Sequence, residues 1–202
     1  MDVRKALLGL TLSLLLGNGV AVAADFNKGF QAAQSGDYKT ALAEWTPLAE
    51  QGDADAQFNL GIMYAYGQGV SENHTTAVKW YTKAADQGRV KAQFNLGNMY
   101  RIGEGVQKNY KTAVKWYTLA AEQGFSKAQT SLGNMYSGAA GVRKDYVRAY
   151  MWHHLSSFTG GATGGTLGSQ NRENISKEMT EAQISIAQEM SQRCLASNYT
   201  DC

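Results

Sequence analysis

The sequence predicts an all-α protein whose helices pair and stack into a solenoid. The main observation is a segment, AQFNLGNMY at positions 92–100, that recurs as AQFNLGIMY at 56–64 and as AQTSLGNMY at 128–136. Successive copies are 36 residues apart. A fixed period of roughly 20 to 50 residues indicates stacked supersecondary units, because a single unit cannot bury its own apolar face.

Further residues repeat in register with this segment. The repeated columns are Gly52, Gly88 and Gly124; Ala41, Ala77, Ala113 and Ala149; Trp80, Trp116 and Trp152; Val70, Val106 and Val142; and Asp37, Asn73, Asn109 and Asp145. Asp or Asn before the first turn is a strong helix N-cap, and glycine is typical of the residue that ends a helix. Each unit is therefore predicted to contain a first helix, a short connection and a second helix that runs antiparallel to the first.

Together these columns resemble the Sel1-like repeat, a relative of the tetratricopeptide repeat. The resemblance rests on YKTAVKWYTLAAEQG at 110–124, followed by Ala128-Gln129, Leu132-Gly133, Tyr136 and Gly141-Val142. It implies a right-handed α-solenoid of antiparallel helix pairs in an exported bacterial protein. Proteins that this chain resembles mostly act as adaptors in assembly and signalling.

The period divides the chain into units. These are a capping helix at 25–37, whole repeats at 38–73, 74–109 and 110–145, and a partial fourth repeat at 146–158. The capping helix is expected to cover apolar surface that the first repeat would otherwise expose. The first helix of repeat 1 contains Pro47, the only proline, and is expected to be kinked there.

Each second helix is predicted to bury a stripe of apolar residues, such as Ala92, Leu96 and Met99 in repeat 2. Gly97 lies within that helix, where glycine costs about 1 kcal/mol relative to alanine. Gly61 and Gly133 occupy the same column. We therefore expect a neighbouring helix to approach closely at these glycines.

The end of the chain departs from the repeat. Residues 159–169 contain five glycines, and we expect a flexible loop there. Residues 170–202 are predicted to be capping helices, the last of which opens with a capping box from Thr180 to Gln183. In repeat 3, Ala139 stands where the other repeats have glycine, and Gly138 lies one position earlier, so we expect a shifted turn.

Residues 1–24 are predicted to be a secretory signal peptide. Arg4 and Lys5 give a basic start, an apolar stretch follows at 6–16, and Ala21-Val22-Ala23 is a small-residue cleavage site. The apolar stretch is too short for a membrane span, which needs about 20 residues. We expect a periplasmic or secreted protein without a transmembrane span; an uncleaved anchor is the alternative.

The net charge of +2 gives no electrostatic reason to expect nucleic acid or an anionic membrane as a partner. The only cysteines, Cys194 and Cys202, lie at the C-terminus. In an exported chain we expect a disulfide between them that closes a small terminal loop. Their spacing fits no common zinc pattern, and the sequence predicts no metal and no cofactor.

We recognise no catalytic constellation in the sequence. The motifs Gly-x-Ser-x-Gly and His-Glu-x-x-His are missing, as is Ser-x-x-Lys with its companion motifs. His153 and His154 are adjacent, so their side chains diverge on a helix and are not expected to share a metal. His153 occupies the column of Trp45, Tyr81 and Tyr117, which predicts a core position, whereas His154 is predicted to be exposed.

The sequence thus favours a non-catalytic, monomeric adaptor of the bacterial cell envelope that binds a protein or peptide, since stacked repeats create an extended concave surface. Two alternatives stay open: an envelope protein that binds a cell-wall ligand or hydrolyses β-lactams, and a secreted effector that acts on a host. The Sel1-like proteins linked to β-lactams carry a disulfide in every repeat. The three whole repeats here contain no cysteine, so that activity is not carried over.

By analogy with tetratricopeptide arrays, we expect the first helix of each pair to line the concave side. The candidate groove residues are Thr75, Lys79, Thr82, Asn98, Arg101, Lys111, Lys115, Thr118 and Asn134, with Lys39 and Thr46 from repeat 1. Lysine donates hydrogen bonds, asparagine donates and accepts, and threonine adds a hydroxyl, so the strip suits a peptide backbone with acidic side chains. The alternative is that these residues only keep the surface soluble.

Overall fold

The helices follow one another in space in the order of the chain. The computed structural model describes residues 24–202, apart from the side chains of residues 162–164, so the predicted signal peptide lies outside the described residues except for its last position. The helices are α1 (Phe26–Gln34), α2 (Tyr38–Glu50), α3 (Ala54–Tyr66), α4 (His74–Asp86), α5 (Val90–Ile102), α6 (Tyr110–Ala121), α7 (Ser126–Ser137), α8 (Tyr146–Thr159), α9 (Gly161–Ser176) and α10 (Glu181–Ala196). The described residues form no strand.

Each helix packs on its neighbour in the chain, from α1 on α2 to α8 on α9, and α10 returns to pack on α8. Buried apolar clusters therefore succeed one another along the stack. This arrangement confirms the prediction of an all-α solenoid. Among residues 24–202, no helix combines the length and the apolar character that crossing a bilayer requires.

Side-chain caps begin the first helix of every pair. The carboxylate of Asp37 accepts a hydrogen bond from the backbone N–H of Thr40 at 3.1 Å. Asn73, Asn109 and Asp145 make the equivalent bond to the N–H three residues on. Since these donors have no partner inside the helix, the caps fix where α2, α4, α6 and α8 start.

Each second helix meets the following first helix through a glycine that faces a ring. A Cβ atom at Gly97 would lie 2.7 Å from the Cδ1 atom of Tyr117, closer than non-bonded carbon atoms approach. The same contact recurs as Gly29 on Trp45, Gly61 on Tyr81 and Gly133 on His153. The close approach predicted at Gly97 is confirmed, and α1 acts as the second helix of an incomplete leading unit.

A ladder of buried glutamines forms a further contact between units. The side-chain amide of Gln93 donates to the carbonyl oxygen of Ala85 at 3.1 Å, and its Oε1 atom accepts from the amide of Gln123 at 2.8 Å. Gln57 and Gln129 make the same pair of bonds one unit earlier and one unit later, with Thr159 as the last donor. Each buried amide is thereby satisfied, as burial of polar groups requires.

The turn of repeat 3 keeps the register of the other turns, so the predicted shift is wrong. The N–H of Ala140 donates to the carbonyl oxygen of Met135 at 3.0 Å, the bond that the equivalent residues make in repeat 2. Ala139 has φ +55°, in the left-handed region that Gly67 and Gly103 occupy in their turns. The turn bonds and the packing of α8 thus outweigh a strain of roughly 1 kcal/mol on one alanine.

Residues 159–169 are not the flexible loop that their composition predicts. They are helical from Gly161, as part of α9, which packs along α8. A Cβ atom at Gly165 would lie 2.9 Å from the carbonyl oxygen of Ser157, and one at Gly168 would collide with the hydroxyl of Ser156. Gly165 and Gly168 let the two helices approach, and this packing offsets their helix cost of about 1 kcal/mol each.

The C-terminal segment closes the stack. The predicted capping box is present, because Thr180 and Gln183 bond each other's backbone N–H groups. A disulfide joins Cys194, which is fully buried, to Cys202. The ring of Tyr199 lies close to Gly124, so the tail rests on the connection between α6 and α7.

The strained turn gives a test of the repeat register. Ala139→Gly should raise the free energy of unfolding by roughly 1 kcal/mol, because glycine adopts a positive φ without a steric cost. Chemical denaturation measures the change. Ala140→Gly is the matched control, since its φ is not positive and the same substitution should be neutral or destabilising. Equal effects of the two substitutions would contradict the register described here.

Candidate binding surface

Three recesses occupy equivalent positions in the three whole repeats. Their volumes are about 260 Å³ for recess 1, 300 Å³ for recess 2 and 390 Å³ for recess 3. Recess 1 is lined by Tyr38, Trp45, Asn59, Met63 and Gln68, recess 2 by His74, Tyr81, Asn95, Met99 and Glu104, and recess 3 by Tyr110, Ser131, Asn134, Met135 and Ala140. Since these positions repeat with the 36-residue period, the recesses form one row along the stack.

Helix geometry positions the lining residues. Asn95, Asn98 and Met99 are three and four positions apart on α5, so they share one face of that helix. His74 is the first residue of α4, and the N–H of Glu104 bonds the carbonyl oxygen of Met99 at 3.0 Å in the turn after α5. Asn98 lines both recess 2 and recess 3, so these two recesses adjoin.

Recess 2 is acidic. The Nε2 atom of His74 lies 3.1 Å from a carboxylate oxygen of Glu72 and 3.1 Å from one of Glu104. Tyr66, with 70% of its surface exposed, stands at the rim, and Tyr81 is buried beneath. Burial raises the pKa of the Tyr81 phenol, so this hydroxyl stays neutral and adds no charge.

Recess 3 is basic. The Nε atom of Arg101 donates to the hydroxyl of Tyr117 at 3.2 Å, and that hydroxyl donates to Oδ1 of Asn98 at 2.7 Å. Burial is also the main cause that raises the pKa of Tyr117. Beside the recess, the ammonium of Lys108 lies 4.7 Å from the centre of the Tyr110 ring.

Recess 1 carries no charged side chain in its lining and is the most apolar of the three. Phe30 of α1, 47% exposed, forms its outer wall. Trp45 and Ile62 lie further in, and the Nε1 atom of Trp45 donates to the carbonyl oxygen of Phe26 at 3.2 Å.

The groove residues predicted from the sequence fall into two sets. Asn98, Arg101 and Asn134, from the second helices, line recesses 2 and 3. The first-helix candidates Thr75, Lys79, Thr82, Lys111, Lys115 and Thr118 lie outside the lining of all three recesses; the lysines and Thr75 are exposed, and Thr82 and Thr118 are half-buried. The hydroxyl of Thr82 donates to the carbonyl oxygen of Val78, within its own helix.

Several lining residues were not among the predicted candidates. Asn59, Asn95 and Ser131 form a polar column one residue before the buried leucine of each second helix. Glu72 and Glu104 lie in the turns after the second helices, for which the sequence predicts only a connecting role. The 36-residue period was the signal that could have found the first set, since a polar column inside a buried stripe indicates a surface recess; no repeated column marks Glu72 and Glu104.

The histidine pair behaves in part as predicted. His153 is buried in the aromatic column, and neither ring nitrogen has a hydrogen-bond partner. His154 is half-buried between the rings of Tyr150 and Phe158, so its predicted exposure is wrong. The described residues contain no group of three or more His, Cys, Asp or Glu side chains able to hold a metal ion.

The comparisons with known proteins bear on the same repeats. The family model for the Sel1 repeat matches residues 54–88, 90–125 and 126–157, about half of the chain. The chain belongs to the Sel1 repeat family. Each matched segment pairs a second helix with the following first helix, the two helices that the glycine and the ring bring together. Sel1 repeat proteins generally serve as protein-interaction scaffolds.

The structure is similar to the crystal structure of a Sel1 repeat protein from Oxalobacter formigenes, with a TM-score of 0.67 and 28% identity over 87% of this chain and 78% of that chain. It is also similar to c5321, described as a protective antigen present in uropathogenic Escherichia coli strains displaying an SLR fold. That comparison has a TM-score of 0.49 and 30% identity over 86% of this chain and 46% of that chain. No curated protein is significantly similar in sequence.

The buried histidine predicts a pH dependence of stability. Burial lowers the pKa of His153 from 6.5 to about 4. Between these values the unfolded chain binds a proton that the folded chain does not, so stability falls as the pH falls through this window, by about 3 kcal/mol in total. Thermal unfolding from pH 7 to pH 4 measures the loss.

The control is His153→Phe, which keeps a ring against Gly133 and removes the titrating group. Its melting temperature should fall less steeply over the same pH range than that of the wild type, whatever its stability at neutral pH. Parallel curves for the two proteins would contradict the assignment of this pH dependence to His153.

Proposed function

We propose that this protein is a non-catalytic adaptor of the bacterial cell envelope that binds a segment of another protein along recesses 1 to 3. The observation that carries the proposal is the recurrence of one recess at the same position in three consecutive repeats. Repeat stacks bind partners on extended surfaces of this kind. A row of recesses suits a chain segment better than it suits a compact small molecule, which is usually held in a single enclosed pocket.

The polar lining supports a peptide as the ligand. Asn59, Asn95, Asn98 and Asn134 line the row of recesses. An asparagine amide both donates and accepts hydrogen bonds, as does each peptide group of an extended chain. The asparagines can therefore hydrogen-bond the backbone of any peptide, whatever its side chains. The other lining residues then determine which side chains are bound.

The first-helix residues Lys79, Lys111 and Lys115 are a second candidate surface. All three are exposed, and the ammonium of Lys115 lies 5.8 Å from the centre of the Trp116 ring. They support the proposal less strongly, because no recess gathers them and single exposed lysines contribute little binding energy.

The envelope location rests on the N-terminal sequence and on the cysteines. A basic start, a short apolar stretch and a small-residue cleavage site at 1–24 are the features of a secretory signal. The pairing of Cys194 with Cys202 supports export, since disulfides persist in oxidising compartments.

The test is an affinity pull-down from crosslinked cells that express the tagged full-length chain. The blocking variant is Asn134→Trp, which places a large side chain at an exposed position in recess 3. The matched control is a double variant that combines Lys79→Glu with Lys115→Glu and alters only the first-helix surface. Circular dichroism should give the same helix content for all three proteins.

We expect a partner to be recovered with the wild type and with the lysine variant, and to be lost with Asn134→Trp. Retention with Asn134→Trp and loss with the lysine variant would assign binding to the first-helix surface and contradict the recess proposal. The mass of the recovered chain checks the location: the chain should lack the predicted signal peptide and have its two cysteines joined. An uncleaved chain in the cytoplasm would contradict the envelope assignment.

A further inference from the structure

The three recesses share one architecture but differ in charge. Recess 2 has Glu72 and Glu104, and one period later these positions are Lys108 and Ala140. The side chain of Arg101 adds a second positive charge at recess 3. Recess 1 has Gln68 in the column of Glu104 and no charged lining residue. From repeat 1 to repeat 3 the row therefore changes from apolar to acidic to basic.

The negative charge of recess 2 is not neutralised within the protein. His74 carries at most one positive charge, and it faces two carboxylates, so the recess stays negative in either protonation state of the imidazole. Among residues 24–202 no lysine or arginine pairs with Glu72 or Glu104. Their side chains are 60% and 42% exposed, so both can reach a ligand.

The positive charge of recess 3 is equally available. In the described part of the chain no carboxylate pairs with Arg101. Its Nε atom is fixed by the Tyr117 hydroxyl, which holds the guanidinium in place and leaves the terminal nitrogens for a ligand. A guanidinium positioned in this way suits a carboxylate, which can accept two parallel hydrogen bonds.

From this charge order we infer that the partner segment is an extended chain whose side chains run apolar, basic and acidic from repeat 1 to repeat 3. The inference rests on the proposed function and adds the chemistry of the ligand. A lysine or arginine of the partner would pair with the exposed carboxylate of Glu72 or Glu104, with the exposed ring of Tyr66 beside the cation. An aspartate or glutamate would meet Arg101.

The spacing of the recesses is compatible with one segment. Asn98 belongs to both recess 2 and recess 3, and one helix pair separates successive recesses. Helices pack about 8–10 Å apart, so this separation is at most about 20 Å. An extended chain covers that distance in roughly six residues at about 3.3 Å each. The basic and acidic residues of the partner should thus lie within about six positions of each other.

The experiment is selection from a phage-displayed library of random peptides of about 12 residues, a length that spans at least two recesses. The selecting protein is the wild-type chain, purified in its processed form. We expect the recovered peptides to contain a basic and an acidic residue in one fixed order and within about six positions. A synthetic peptide of the commonest recovered sequence then serves for affinity measurements.

Charge exchange tests each recess separately. Glu104→Lys should weaken the binding of that peptide by about tenfold or more, and replacing the basic residue of the peptide by glutamate should restore it. Arg101→Glu should likewise weaken binding, and replacing the acidic residue of the peptide by lysine should restore it. Glu50→Lys is the matched control, because Glu50 is exposed on α2 outside the recesses and makes the same charge change. It should leave affinity within about twofold.

The outcomes separate this inference from the proposed function. Recovered peptides that bind the wild type but not the Asn134→Trp variant are thereby placed in the recesses. If such peptides show no charge order, the inference alone is overturned. A library that yields no binder would contradict the peptide-binding function and the inference with it. Self-association of the wild type that Glu104→Lys abolishes would assign the charged row to a second copy of this chain and also overturn the inference.

Discussion

The contact between a helix glycine and an aromatic ring is the constraint on which the stack depends. Gly97 lets the ring of Tyr117 lie directly on the backbone of α5, and the units before and after it repeat the arrangement. The contact sets how closely adjacent units approach, and the glutamine ladder bridges units at that distance. It also places Tyr117 so that its hydroxyl reaches Asn98 and Arg101, which ties the packing of the core to the binding surface.

Most of the fold could be predicted from the sequence because the repeated residues have local causes. N-caps, terminal glycines and buried stripes each act within one helix or turn, and they recur at one period. The errors in the turn of repeat 3 and in residues 159–169 arose where tertiary packing overrides local preference. Ala139 keeps a left-handed φ because backbone hydrogen bonds hold the turn around it, and the segment after Thr159 is helical because Gly165 and Gly168 let α9 pack closely on α8.

The binding surface was harder to predict because a recess is formed by three helices at once. The analogy with tetratricopeptide arrays predicts a groove lined by the first helices. Here the recesses are lined chiefly by second helices and turns. Of the predicted candidates only Asn98, Arg101 and Asn134, which lie on second helices, line the recesses. Glu72 and Glu104 could be interpreted only once His74 was seen between them.

A double-mutant cycle between Gly97 and Tyr117 tests the central claim most directly. Gly97→Leu should lower the free energy of unfolding by roughly 1–3 kcal/mol through overpacking, and Tyr117→Ala by about 3 kcal/mol through the cavity that it leaves. If the ring rests on the glycine, the leucine fills that cavity, and the double variant should be more stable than the sum of the two losses by about 1 kcal/mol or more. Lys79→Ala is the control and should leave the free energy of unfolding unchanged. If the losses of Gly97→Leu and Tyr117→Ala simply add in the double variant, the ring does not rest on the glycine and the central claim is contradicted.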